Sequence, residues 1–260
     1  MRAGGRRPGA SSWPGMPVSS EGVTAVFLGR AGRLFAAGLI GVVCAGESRL
    51  GAAESQATAS PSAPVVWQFD QPAAVAGLPT EILGLPRIVE SAGGRFIQFD
   101  GAHDGLVVPV NPLARLSQFT IEVLIRPEAG GGSEQRFLHV QDEVGDRVLL
   151  EIRLTPEGQW ALDTFMLSGA GRLTLLDRSR IHPAGRWHWV ALRFDGHRMT
   201  SWVDGQQELE GAIEFAPMKS GQTSLGVRMN RASWFKGAIR EVRIHPGALA
   251  GDAFQRVKGD

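Results

Sequence analysis

The chain has no tyrosine, one cysteine and few lysines among its 260 residues. Each shortage removes a class of chemistry. Without tyrosine there is no phenolic acid or base. Cys44 lies in an apolar leader, so a processed chain has no thiol at all. Disulfides, a cysteine nucleophile and cysteine-ligated zinc are then excluded. Only Lys219, Lys236 and Lys258 stand beside a large excess of arginine, a skew that reads first as codon bias. Helix signals are also nearly missing. Pro246–Val257 alone has the pattern of a short terminal helix, and Gly251 weakens it. His103, His139, His182, His188, His197 and His245 show no HExxH-type ligand spacing.

The formal net charge of +1 conceals a split. Residues 1–53 carry six arginines against Glu21 and Glu47, a net of +4. The remainder has 21 basic and 24 acidic side chains, a net of −3. A slightly acidic domain lacks the concentrated positive charge that nucleic-acid binding needs.

The beginning of the chain reads as a targeting segment. Leu34–Ala45 is an unbroken apolar run of twelve residues directly after Arg30 and Arg33. A bilayer span needs about 20 residues, so the run fits the apolar region of a secretory signal. Cleavage is expected after Ala45 or Ala53, and Met16 is an alternative start. Cys44 suits a lipoprotein signal except that Val43 precedes it. Arg6-Arg7 lacks the apolar pair of a twin-arginine signal. Residues 1–45 are therefore expected to be a leader, and a membrane contact is expected only if that leader stays uncleaved. Residues 46–64 are small, polar and proline-containing, the composition of a disordered linker. The folded domain is expected over 65–257, in a secreted, periplasmic or cell-envelope product.

What remains reads as strands. Arg186–Gln206 shows the pattern best. Two β-rich runs, Trp187–Phe194 and Met199–Val203, are punctuated by Asp195-Gly196 and Asp204-Gly205, the residue pair that tight hairpin turns favour. Val190, Leu192 and Phe194 share one face; Trp187, Trp189 and Arg193 share the other. Similar alternation marks Phe119–Arg126 and Val148–Leu154. Further strands are expected at Val65–Phe69, Arg95–Asp100, Gly105–Val110, Phe137–Gln141, Gln159–Phe165, Arg172–Asp177, Gly211–Phe215, Thr223–Arg228 and Gly237–Ile244, with a loop over residues 70–94. About a dozen short strands with turn signals every 8–12 residues predict an all-β sandwich or barrel.

Four motifs in order sharpen this. Phe99-Asp100-Gly101 leads to Leu106-Val107-Val108-Pro109. Phe119-Thr120-Ile121-Glu122 leads to Ile125-Arg126-Pro127. Trp187-His188-Trp189-Val190-Ala191 precedes Trp202-Val203-Asp204-Gly205. Phe235-Lys236-Gly237 precedes Ile239-Arg240-Glu241-Val242-Arg243-Ile244. Together they resemble a LamG-like domain of the concanavalin A-like lectin/glucanase superfamily. The resemblance implies a two-sheet antiparallel jelly-roll β-sandwich, with ligands held on a concave face or its rim loops. It also implies an acidic residue before the glutamate of the closing strand, associated with a structural calcium in parts of the superfamily. Here that position is Arg240, which would repel the ion. Arg240 is expected to pair with a carboxylate such as Asp70 instead, and no cofactor is expected.

The residues point away from catalysis. Glucanases of this superfamily carry a Glu-x-Asp-x-x-Glu string on one strand, and none occurs here. Glu122 and Glu151 read as solvated sheet residues in cross-strand ion pairs. His188 reads as a part-buried histidine. His103-Asp104 with Asp100 reads as a structural loop first and an ion or ligand site second. The tryptophans are the better hint, since indole rings stack on the apolar faces of sugars. Trp67 and Trp187 read as core. Trp160 and Trp234 are expected to be exposed contact residues, Arg228 and Asn230 to supply hydrogen bonds, and Trp189 and Trp202 to line a concave face or pair with each other. The function that follows is an exported, non-catalytic binding module for a glycan or a cell-surface protein. A hydrolase or lyase with atypical carboxylates and a structural assembly module are the alternatives.

Overall fold

A computed structural model describes residues 63–257. The expected leader, and the linker up to residue 62, lie outside the described residues. Every regular element within them is a β-strand. The first are β1 (Val65–Gln68), β2 (Ala74–Val75), β3 (Leu78–Pro79), β4 (Glu81–Leu83), β5 (Arg87–Val89) and β6 (Phe96–Asp100). Then come β7 (Gly105–Val108), β8 (Phe119–Pro127), β9 (Glu134–Asp142), β10 (Arg147–Leu154), β11 (Gln159–Ser168) and β12 (Gly171–Leu176). The last are β13 (His182–Pro183), β14 (His188–Phe194), β15 (Arg198–Val203), β16 (Gln206–Ala212), β17 (Gly221–Leu225) and β18 (Lys236–His245).

Two antiparallel sheets result. The first has the order β16-β15-β14-β8-β18-β6-β5, with β1 also on β18. The second has the order β12-β11-β10-β9-β17-β7-β4, with β13 on the end of β11. The sandwich follows from alternation. Ile121, Val123 and Ile125 of β8, and Val190, Leu192 and Phe194 of β14, are fully buried from one side. Val148, Leu150 and Ile152 of β10 meet them from the other. Each such side chain contributes about 1.5–3 kcal/mol by leaving water, so a one-residue slip in any of these strands is strongly disfavoured.

The Asp204-Gly205 turn has positive φ at both positions, 48° and 73°, as a two-residue hairpin turn requires. It sends the chain straight back, so pairing begins at Gln206. The strand expected at Gly211–Phe215 therefore lies earlier, at Gln206–Ala212. Residues 70–94 are not one loop. They form a small hairpin, β2–β3, and then supply edge strands to both sheets.

Pro246–Val257 carries no helix. It crosses the outer face of the first sheet as turns and extended chain. Thr120 Oγ1 donates to Gly247 O at 3.0 Å and accepts from Leu249 N at 3.0 Å. Glu122 accepts from Gln255 N at 2.7 Å and bonds His245 Nε2 at 2.9 Å. Glu122 is thus buried beneath this strap and not solvated.

Candidate functional site

The strap covers the Thr120, Glu122 and Trp202 part of the first sheet's outer face; the outer face of the second sheet carries a cleft of its own. On the second sheet, the residues of β10 that alternate with the core set are Arg147, Leu149, Glu151 and Arg153. The ladder places a partner beside each. Leu149 sits between His139 of β9 and Phe165 of β11, and Phe165 faces Thr174 of β12. Glu151 sits between Arg136 and Asp163. Arg147 sits beside Leu167, whose other neighbour is Arg172. A register shift between Leu150 and Glu151 interrupts the β9–β10 ladder at this point and brings Arg136 opposite Glu151.

These rows enclose a cleft of about 130 Å³, lined among others by Arg136, Arg147, Glu151, Arg153, Phe165 and Arg228. Its two ends differ in charge. At one end Arg136 and Arg153 hold three carboxylates. Arg136 Nε lies 3.0 Å from Glu151 Oε2, and Arg153 Nη2 lies 3.3 Å from the same oxygen. Arg153 also contacts Asp163, and it reaches Glu134 at 3.1 Å. Glu151 and Asp163 are 4% and 1% exposed. Burial pushes both carboxyls up, against the pull of the two guanidinium groups. Glu151 is thus a buried member of a network, not the solvated sheet residue that its sequence suggests. Glu134, at the rim, is held down by Arg153.

At the other end Arg147 and Arg228 line the cleft, exposed Arg172 stands two strands away from Arg147 in the ladder, and none of the three has a carboxylate within salt-bridge distance among the described residues. Arg147 lies over the Phe165 ring, 5.5 Å from its centroid. Its Nη1 donates to Gly145 O at 3.2 Å, and its Nε is buried without a partner. Burial, then repulsion from Arg228 and Arg172, lowers the Arg147 pKa. His139 reports the same field. It is pushed down to about 3 by burial and by Arg228, Arg147 and Arg136. It therefore stays neutral, with Nδ1 accepting from Met229 N at 3.0 Å.

The expected contact residues divide. Arg228 lines the cleft. Its loop, carrying exposed Asn230 and half-buried Trp234, is tied to the cleft wall: Arg136 N donates to Ser233 O at 2.9 Å, and the Arg136 guanidinium bonds Ser233 Oγ. Trp160 is 0% exposed, which corrects its expected place at the surface. It shares the parity of Leu162, Thr164 and Met166, all core-facing, and its indole N–H donates to Pro183 O at 3.2 Å. Trp189 and Trp202 do share an outer face, but it is that of the first sheet. Phe254 stacks on Trp202 at 4.2 Å, and Arg243 covers Trp189 at 5.1 Å.

Four further expectations meet the structure here. Trp67 is core, whereas Trp187 is only half-buried. Arg240 does not pair with Asp70. It falls at the register shift of β18, which turns it onto the Trp187 ring at 4.2 Å, while Asp70 takes Arg95 at 3.0 Å. Asp100 Oδ1 accepts the backbone N–H groups of Ala102, His103 and Asp104, and Asp104 accepts those of Asp100 and Leu85, so both carboxylates serve backbone structure. His188 is bonded through Nδ1 to Asp204 at 2.8 Å, the part-buried structural histidine that its parity predicts. Among the described residues, no group of three or more His, Cys, Asp or Glu is placed to hold a metal ion.

A family model described as the concanavalin A-like lectin/glucanases superfamily matches residues 100–253, more than half of the chain. The chain belongs to that superfamily. Solved structures agree on the fold. Domain 4 of AbnA, a GH43 extracellular arabinanase from Geobacillus stearothermophilus in complex with arabinotriose, superposes with a TM-score of 0.55 at 20% identity, covering 74% of this chain and 97% of that one. The binding domain of Paraclostridial Mosquitocidal Protein 1 gives 0.57 at 14% identity, covering 73% and 50%. The binding domain of Botulinum Neurotoxin DC in complex with SialylT gives 0.54 at 12%, covering 74% and 50%. No curated protein sequence matches the chain. Within this superfamily's sandwich, the cleft residues that the sequence did not single out are Arg136, Arg147, Leu149, Arg153, Asp163, Phe165 and Thr174. Their signal was the outward phase of β9 to β12, which becomes a site only when the four strands lie side by side.

Proposed function

We propose that this domain is an exported carbohydrate-binding module, without catalysis of its own, that holds a saccharide in the cleft on the outer face of its second sheet. One observation carries the reading. The cleft combines guanidinium donors, an aromatic ring and a floor whose side chains are already locked to one another. Such a floor loses little freedom on binding, and planar donors beside a ring suit a ligand with hydroxyls on its edge and an apolar face. A volume near 130 Å³ is below the ~300–1,000 Å³ of pockets that engulf a drug-sized molecule. It suits one sugar residue of a longer chain. The arabinotriose complex of AbnA domain 4 is in line with this use of the fold, and the apolar leader is in line with export.

The test is a glycan array probed with the full chain. Reproducible binding, lost in Phe165→Ala and Arg228→Ala and kept in Trp202→Ala, supports the cleft. Silence across neutral and acidic glycans favours an assembly module.

A glycosidase is the second reading, and one observation favours it: Glu151 and Asp163 stand opposite each other with raised pKa values, as catalytic carboxylates often do. Against it, Arg153 engages both, and neither is open to a substrate oxygen. Release of reducing sugar from a polysaccharide, abolished in Glu151→Gln, would replace the binding reading.

A further inference from the structure

The two ends of the cleft are not equivalent, and the difference specifies a ligand. At the acidic end each carboxylate already has a guanidinium partner. At the other end Arg147 and Arg228 line the wall, and among the described residues neither has a carboxylate within salt-bridge distance. Asp146, the acid next to Arg147 in sequence, offsets part of the repulsion on Arg147 by its charge, but its Oδ1 accepts Gly169 N at 2.8 Å and it makes no salt bridge with Arg147. Converging cations that the fold does not neutralise repel one another, at a cost that a bound anion would offset. The domain around them has a net charge of −3 outside residues 1–53, so the cluster is a local feature and not part of a basic surface.

From this we infer that the cleft selects an anionic sugar residue, its carboxylate or sulfate group seated between Arg147 and Arg228 and its ring beside Phe165. The inference rests on the carbohydrate-binding reading and narrows its ligand class. Guanidinium groups suit such an anion, because the planar fork gives two parallel charge-assisted hydrogen bonds to one oxyanion group. Arg147 is prepared for this. Phe165 lies under its guanidinium, Gly145 O takes Nη1, and the buried Nε has no protein partner. Arg228 is brought in by its own loop, whose turn is closed by Arg231 N on Arg228 O at 2.8 Å and Arg228 N on Ala232 O at 3.1 Å. His139, held neutral beside them, cannot compete as a further cation. The end with Arg136 and Arg153, neutralised by its acids, suits the uncharged hydroxyl side of the ring.

The experiment is affinity electrophoresis and calorimetry of the full chain against four polymers: polygalacturonate, dextran sulfate, neutral arabinan and polyphosphate. Binding to polygalacturonate or dextran sulfate over arabinan and polyphosphate is expected, and which of the two binds tells carboxylate from sulfate. Affinity should fall about tenfold or more in Arg228→Gln and in Arg147→Gln. It should also fall when the polygalacturonate carboxyls are reduced to alcohols. Arg228→Gln is the safer variant, since Arg228 has no side-chain bond to lose among the described residues; unchanged Tm and near-ultraviolet dichroism establish its fold. Equal binding to arabinan, indifferent to both variants, overturns the anionic preference and leaves the carbohydrate module standing. Equal binding to polyphosphate overturns the sugar part. Binding to none of the four overturns both readings.

Discussion

Glu151 and Asp163 face each other across β10 and β11, and both lean on the guanidinium of Arg153. The trio is buried, so its stability depends on the charges staying balanced. Arg153→Met leaves the carboxylates without their shared cation, a change worth about 3–5 kcal/mol for a buried pair broken on one side. The sign with pH follows from the raised carboxyl pKa values. A folded state that holds protons more tightly than the unfolded chain loses stability as pH rises from the unfolded value, about 4, through the folded one. The defect of Arg153→Met should therefore be large at pH 7 and smaller at pH 4.5, where the carboxyls recover protons. Urea unfolding at the two pH values checks this; an equal loss at both would show that Arg153 acts by packing.

How much of this could be read beforehand depends on range. The two-residue period of Ile121, Val123 and Ile125, or of Val148, Leu150 and Ile152, is written in consecutive positions, so the sandwich was legible. Trp160 was legible too, through its parity with Leu162 and Met166, but its position at a strand start after Gly158 pointed to the surface. The cleft was not. Glu151 meets Asp163 only because a hairpin sets the register of β10 against β11, and it meets Arg136 only through a register shift. A search for carboxylates along one strand misses a pair made across two. Arg240 was recognisable as a departure from the family pattern, but its turn onto Trp187 needed the irregularity in β18.

His139 should make the domain acid-sensitive. It is 1% exposed, and its pKa is pushed down to about 3 from an ordinary 6.5. The unfolded chain then takes up a proton near pH 6.5 that the folded chain refuses until about pH 3. Stability is complete above the unfolded value and is lost as pH falls through this window. Between pH 7 and pH 5 the loss is about 2 kcal/mol. His139→Asn keeps an acceptor for Met229 N but has no proton to gain, so its unfolding free energy should change less over the same interval. A variant as pH-sensitive as the parent would assign the effect to other groups.

Arg240 predicts indifference to calcium. Its guanidinium lies over Trp187 and also bonds Ser91 Oγ at 3.3 Å, where the resemblance places an acid. Thermal unfolding should give the same Tm in millimolar Ca²⁺ and in chelator, because only a ligand that binds the folded state raises it. Arg240→Ala should lower stability by about 1 kcal/mol through the lost cation–π contact. A calcium-dependent rise in Tm would refute the first expectation without touching the second.

The strap that ends the described chain should be stabilising and separate from binding. Phe254 lies stacked on Trp202, and Gln255 N caps the buried Glu122. Phe254→Ala removes a buried ring and its stacking on Trp202, a change of about 3–5 kcal/mol for a phenylalanine in a packed site. It also opens Trp202 to water. Tryptophan emission should shift to the red and become quenchable by acrylamide, and the urea midpoint should fall. The cleft lies on the opposite sheet, so affinity for whatever saccharide binds there should stay within about twofold under conditions where the variant is folded. If Phe254→Ala lost binding while folded, Trp202 and its neighbours on the first sheet would regain their place as the contact surface.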